Sequence, residues 1–182
     1  KPAQEGKNGK VYLFADEFTN YNESEIGIKA VMLLTKLGYE VVIPKHRESG
    51  RTFLSKGMLD PAKRLATSNV LMLKDIVTAE TPLVGLEPSA ILSFRDEYPE
   101  MVNDDLRDAA ALLASNAMLF EECICREGDK GLITPASFTK EKAKILLHGH
   151  CQQKAVASTV PTKRMLSLPE NYSVEEIPSG CC

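Results

Sequence analysis

Three absences narrow what this chain can do. It has no basic excess: 22 Lys+Arg stand against 25 Asp+Glu, for a formal net charge of −3. Nucleic-acid surfaces gain affinity by displacing counterions with clustered positive charge, so no nucleic-acid partner is expected. There is no apolar run of the roughly 20 residues that a membrane-spanning helix needs, and no charged-then-apolar stretch of signal type occurs in these residues. The expectation is a cytoplasmic protein without a membrane span, at most peripheral at the inner membrane face. Finally, no nucleophile elbow, paired-histidine zinc motif or dinucleotide fingerprint occurs. The stretch Gly50-Arg51 to Lys56-Gly57 lacks the glycine spacing of a phosphate loop.

What is present points to a packed α/β protein. Hydrophobic residues make up 43% of 182 residues, enough for one α/β domain or two small lobes. Residues 1–10 are polar and rich in breakers, like a linker. Val11–Ala15, Val41–Ile43 and Leu83–Leu86 read as buried strands, the second closed by Pro44. Between the first two, Asn22 and Glu25 suit a capping box, and Ile26, Ala30, Leu33, Leu34 and Leu37 share a helical face that stops at Gly38. Asp60-Pro61 opens a helix whose period runs to Val77. Ser89 is the predicted cap of a short helix ended by Pro99, and a longer helix is predicted from Asp104 to about Glu122. Lys144–His148 reads as another buried strand, and Tyr172–Ile177 as a partial one. Alternating strands and helices predict mainly parallel sheets in Rossmann-like layers, with ligands beyond the carboxyl ends of the strands. The loops to watch are 16–22, 45–57 and 87–97.

The two halves resemble one another as repeated βαβ-type modules. A strand leads to Asp16-Glu17-Phe18 in the first and to Gly149-His150-Cys151 in the second. A Tyr-x-Val strand and a proline then lead to Glu48-Ser49-Gly50 and to Cys181-Cys182. Glu17 to Glu48 spans 31 positions, and Cys151 to Cys181 spans 30. Any two αβ units align loosely by chance, but this spacing favours duplication. The expected division is a linker at 1–10, a first module at 11–125, and a second at 126–182 that is cut within its Cys-Cys motif.

Five cysteines, an odd number, suit a disulfide framework poorly. Thiolates are soft ligands for iron–sulfur clusters or zinc. A lone cysteine, about thirty residues, then a Cys-Cys pair resembles the cysteine-rich (Cys-Cys-Gly) domain family. That family includes one subunit of heterodisulfide reductase, the iron–sulfur subunit of glycolate oxidase and one subunit of anaerobic glycerol-3-phosphate dehydrogenase. The domain also occurs at the C-terminus of FAD-linked oxidase fusion proteins. Lys10–Ala15 through Asn22, Ser49-Gly50-Arg51 through Gly57, Gly85–Ala90 with Phe94–Tyr98, and His148–Ala155 carry the resemblance.

The resemblance implies a 4Fe-4S cluster in the intact protein, ligated in part by Cys151, Cys181 and Cys182 and absent from this fragment. It implies FAD in another domain, and flavin-binding and ferredoxin-type domains of the same polypeptide or complex as partners. The implied function is iron–sulfur electron transfer in a flavin-linked oxidoreductase that oxidises a small 2-hydroxy acid such as D-lactate, glycolate or 2-hydroxyglutarate. The fragment alone is expected to be inactive. The alternative is a cluster-free scaffold or docking domain. Where the first module would hold ligands the chain has Glu17, Glu48, Ser49 and Ala90, and alanine has no donor. These residues, with Arg51, Glu87, Arg95 and Glu97, are expected to form a vestigial site or polar network. An ordinary solvated surface competes with that reading. His148 and His150 flank Cys151 and are expected to orient or hydrogen-bond rather than ligate. A zinc site is a weaker rival, because along a continuing strand His148 and Cys151 would point oppositely. Cys123 and Cys125, two apart on a helix, read as ordinary thiols.

Overall fold

The structure, a computed structural model, describes residues 6–180. Cys181, Cys182 and the first half of the expected linker lie outside the described residues. The chain divides into two compact units, residues 1–119 and 120–182. Both are α/β.

The first unit is built on a four-stranded sheet of order β2-β1-β3-β4: β1 (Lys10–Phe14), β2 (Glu40–Val42), β3 (Leu83–Gly85) and β4 (Ala117–Leu119). Every pair is parallel, with Tyr12 opposite both Val42 and Leu83, and Val84 opposite Met118. The chain leaves β1 to one side for β2 and returns to the other for β3. That reversal is the topological switch point, where parallel sheets open a crevice at their carboxyl ends. The helices are α1 (Glu17–Tyr21), α2 (Ser24–Lys36), α3 (Arg51–Leu54), α4 (Leu59–Leu73), α5 (Pro88–Asp96), α6 (Tyr98–Met101) and α7 (Asp104–Asn116). Phe14, Phe94 and Tyr98 are completely buried. Phe94 stands edge-on to Phe14 at a centroid distance of 5.0 Å and contacts Tyr98 at 4.4 Å. Aromatic pairs of this kind add roughly 0.5–1.5 kcal/mol beyond their burial.

Several local expectations are corrected. Asn22 does not open α2; it caps the C-terminal end of α1, and α2 begins after Glu23 with no side-chain cap. Ile26 is exposed, and Gly27, Ala30 and Leu34 form the inward stripe. Helix α4 stops at Leu73, short of Val77. Glu87, not Ser89, caps α5, because a carboxylate one residue before Pro88 reaches the Ala90 amide. Pro99 starts α6 instead of ending α5, since proline loses nothing in a first helical turn. The helix predicted from Asp104 to Glu122 is broken by β4, after which the second unit begins. Ala117-Met118-Leu119 keeps the apolar pattern of a helix, but pairing with β3 completes the sheet edge.

The second unit contains α8 (Phe120–Asp129), β5 (Ala143–Leu147), α9 (Cys151–Val156), α10 (Val160–Leu166) and β6 (Tyr172–Glu176). β5 and β6 pair in parallel over five residues, from Ala143 opposite Tyr172 to Leu147 opposite Glu176. Both strands alternate between half-buried and exposed positions, unlike the fully buried β3. Lys144 and Glu175 form an ion pair across the exposed face at 2.9 Å. A two-stranded sheet is marginal by itself, so helix packing carries much of this unit. α8 packs on α10, Cys125 donates to the Pro161 carbonyl at 3.3 Å, and Arg164 Nη1 bonds Asp129 at 3.0 Å.

Candidate functional site

In the first unit the three post-strand loops converge beyond the carboxyl end of the sheet. Asp16 follows β1 and caps α1: its carboxylate accepts from the Phe18 and Thr19 amides, both at 2.9 Å, and from the Thr19 hydroxyl at 2.6 Å. Glu17 is thereby fixed at the first helical position. Its carboxylate accepts from the Ser49 amide at 2.8 Å and from the Ser49 hydroxyl at 2.6 Å. The loops after β1 and β2 are thus clasped directly to each other.

Gly50 makes the second half of this arrangement. Its φ of 81° is left-handed, a conformation that costs a residue with a Cβ roughly 1–2 kcal/mol. The turn lets Ser49 face Glu17 while Arg51, one residue on, pairs with Glu97. The Arg51 amide also donates to the Ser49 hydroxyl at 3.1 Å. Tyr98 completes the floor. Its hydroxyl donates to the Ser49 carbonyl at 2.8 Å and accepts from Asn69 Nδ2 at 2.9 Å. Asn69 bridges further, to the Glu48 carbonyl at 3.0 Å and from the Arg47 amide at 2.7 Å.

The electrostatics follow from burial. Desolvation holds the carboxyls of Asp16 and Glu97 above the ordinary carboxylate range, against the hydrogen bonds to Asp16 and the attraction of Arg51 for Glu97. Burial likewise pushes the Tyr98 phenol up, so it remains a neutral donor.

Of the residues expected here, Glu17, Ser49, Arg51 and Glu97 are brought together. Glu87 accepts from the Ser89 hydroxyl at 2.7 Å and the Ala90 amide at 2.6 Å. Ala90 is fully buried, and Arg95 lies half-buried on α5. The Glu48 side chain is exposed, and only its backbone joins the network. Asn69, Tyr98 and Asp16 were missed as network members. A signal existed for Asn69, a polar residue on the inward stripe of α4, where burial demands partners. This donor set does not fit an iron–sulfur cluster: the carboxylate is hard and already engaged, Arg51 is cationic, and Ala90 offers nothing.

The second unit repeats the local plan with different chemistry. β5 ends at Leu147, so His148 to His150 form a turn and not the strand extension considered above. His148 is exposed. His150 caps α9 through Nδ1, which accepts from the Gln152 amide at 3.2 Å, as Asp16 accepts from the amide two residues ahead. That bond assigns the neutral ring proton to Nε2. Cys151 therefore occupies the first helical position that Glu17 occupies in the first unit.

The other loop reaches the same end of the sheet. The Ile177 amide donates to the Leu147 carbonyl at 2.8 Å, extending the ladder past β6. Lys154, on α9, donates to the Ser179 carbonyl at 2.8 Å and its hydroxyl at 3.2 Å. Among the described residues no group of three His, Cys, Asp or Glu could hold a metal ion. At this end of the β5–β6 sheet stands the half-buried Cys151 thiol, a soft donor, and the Cys-Cys pair lies just past Ser179 in sequence.

Buried polar groups elsewhere in this unit are satisfied. Glu121 accepts from Gln153 at 2.9 Å and from Thr162 at 2.7 Å. Cys123 and Cys125 are both buried, which pushes the Cys123 thiol up to about 11 and raises Cys125 as well. Such thiols are inert structural groups.

Comparison with known proteins relates the chain to dehydrogenases. No family model matches it, and no solved structure matches it. It is 30% identical to D-2-hydroxyglutarate dehydrogenase of Pseudomonas putida over an alignment of 183 residues, which covers 100% of this chain and 17% of that protein. It is 25% identical over 175 residues to one subunit of the anaerobic glycerol-3-phosphate dehydrogenase of Escherichia coli, covering 95% of this chain and 43% of that protein. A 30% match over 108 residues to D-2-hydroxyglutarate dehydrogenase of Haemophilus influenzae covers 59% of this chain and 10% of that enzyme. The chain thus spans less than half the length of each of these relatives. It is an oxidoreductase-related α/β domain, and among its described residues no helix is long and apolar enough to cross a membrane.

Proposed function

We propose that this chain is the iron–sulfur electron-transfer domain of a flavin-linked dehydrogenase acting on a small 2-hydroxy acid, with D-2-hydroxyglutarate the substrate that the relatives' names favour. The second unit supplies Cys151, Cys181 and Cys182 to a cluster, and the first serves as a cluster-free scaffold. The observation that carries this reading is the arrangement at the end of the β5–β6 sheet. Cys151 opens α9, and Lys154 on that helix binds Ser179, two residues before Cys181. One lone cysteine and one pair on neighbouring loops make a soft donor set suited to a cluster.

When bound, the cluster would relay electrons from flavin housed in another domain. The chain's own residues hold and orient: Lys154 ties down the second loop, and the His150 cap fixes the turn that presents Cys151. The first unit has the same two loops, but the Glu17–Ser49 bonds join them without metal. That clasp is the specific support for a scaffold role in the first half.

The test uses the intact polypeptide, reconstituted anaerobically with iron and sulfide. Cys151→Ser and Cys181→Ser are expected to remove one cluster's iron and the associated paramagnetic signal, whereas Glu17→Gln leaves both. Full iron content and an unaltered signal in both cysteine variants refute the reading and favour a docking domain without a cluster.

A further inference from the structure

We infer that the cleft beyond the carboxyl end of β2 binds a small organic anion, a single carboxylate or phosphate carried on an apolar body. The cleft measures about 500 Å³ and is lined chiefly by Tyr21, His46, Arg47, Phe53, Arg64 and Leu65. That volume falls within the range of small-molecule sites, about 300–1,000 Å³. Its place is the end of a parallel sheet where such folds collect ligands. It lies outside the Glu17–Ser49 clasp, and nothing in the electron-transfer reading requires it.

Charge supports an anion. Residues 45–64 hold six Lys or Arg and two Asp or Glu, a local excess of +4 in a chain whose net charge is −3. A concave wall of one sign focuses field and concentrates counter-ions. Among the described residues the guanidinium groups of Arg47 and Arg64 bond no carboxylate; the bonds these two residues make are through their backbones. Arg51, Arg107 and Arg164, by contrast, are each paired. Two unspent planar forks on one cleft match the geometry of carboxylate or phosphate oxygens.

The site is partly prearranged. The Arg47 amide is held by Asn69 Oδ1 at 2.7 Å. His46 packs on Phe14 with centroids 4.6 Å apart, and its Nδ1 donates to the Arg47 carbonyl at 2.8 Å. That bond leaves Nε2 as the ring's remaining polar atom. Phe53, Pro61 and Leu65 supply the apolar lining, and Tyr21 stands 74% exposed at the rim. Glu48 on the same cleft offsets part of the positive field, so two arginines match one anionic group better than several.

Titration of the 182-residue chain, followed by calorimetry and by side-chain NMR, tests this. The probes are benzoate, phenyl phosphate, inorganic phosphate and phenol. Saturable binding of benzoate or phenyl phosphate is expected, whichever is tighter naming the anion, with shifts at Tyr21, Phe53 and Leu65. Inorganic phosphate and phenol should each bind about tenfold more weakly, since each lacks one half of the contacts. Arg47→Gln and Arg64→Gln should each weaken binding by about tenfold and Arg64→Lys by less, while Lys29→Gln on α2 changes nothing. Both arginines are exposed, so circular dichroism should be unaltered. No saturation by any probe, or equal binding in both glutamine variants, overturns the proposal. So does binding of a Glu-rich hexapeptide without binding of benzoate or phenyl phosphate, which would mark a protein-docking surface. Iron content of the intact protein is unaffected by either variant, which keeps this result separate from that of the cluster test.

Discussion

Ser49→Ala removes one oxygen and tests whether the first unit is closed by hydrogen bonding. Ser49 is fully buried, and its hydroxyl donates to Glu17 at 2.6 Å while accepting from the Arg51 amide at 3.1 Å. A hydrogen bond to a charged group contributes about 1.5–3 kcal/mol net, and a neutral one about 0.5–1.5 kcal/mol. Water cannot readily replace the hydroxyl at a buried position. Glu17 keeps the Ser49 amide, however, so the loss is partial, and about 2–3 kcal/mol is expected. For a chain of this size that corresponds to a fall in Tm of about 4–12 °C. Urea unfolding of the 182-residue chain measures it directly. Glu17→Ala and the double variant complete a cycle whose coupling should reach about 1–3 kcal/mol. A loss below about 0.5 kcal/mol for Ser49→Ala, with no coupling, would refute the clasp as a stabilising element.

Two further predictions concern the same region. Tyr98→Phe deletes a buried hydroxyl that serves both Ser49 and Asn69, and should cost about 1–3 kcal/mol in urea unfolding. Burial raises the Asp16 carboxyl above its ordinary 3.8, so its contribution to stability is complete below that value and is lost as pH rises through the folded-state value. Asp16→Asn keeps an N-cap and drops the charge. Relative to wild type it should be less stable at pH 3.5 than at pH 7, where the buried charge burdens the wild type alone. A stability difference independent of pH would show that Asp16 carries no such penalty.

Much of the fold could be read from residue patterns, because β1, β3, α2 and α4 carry their own periodicity and stops. β4 could not. Ala117-Met118-Leu119 continues the apolar rhythm of α7, and only pairing with β3, more than thirty residues away, distinguishes strand from helix. The cap of α5 was misread because both Glu87 and Ser89 can cap, and the position of Pro88 decides between them. At the candidate site, the loops carrying Glu17, Ser49, Arg51 and Glu97 followed from strand order. Their partners did not: that Ser49 rather than Glu48 meets Glu17 depends on the backbone reversal at Gly50, which spacing alone cannot orient. Asn69 and Glu121 carried a usable sign, a polar side chain on an otherwise apolar helical face.

The matched turns at Asp16-Glu17 and His150-Cys151 have one more consequence. In each, the capping side chain holds the helix in place and the next residue carries the side chain that differs in chemistry, so the support and the cargo are separate. Exchanging the cargo leaves the support standing. One architecture can then carry a soft thiol in one unit and a hydrogen-bonded latch in the other, within a single polypeptide.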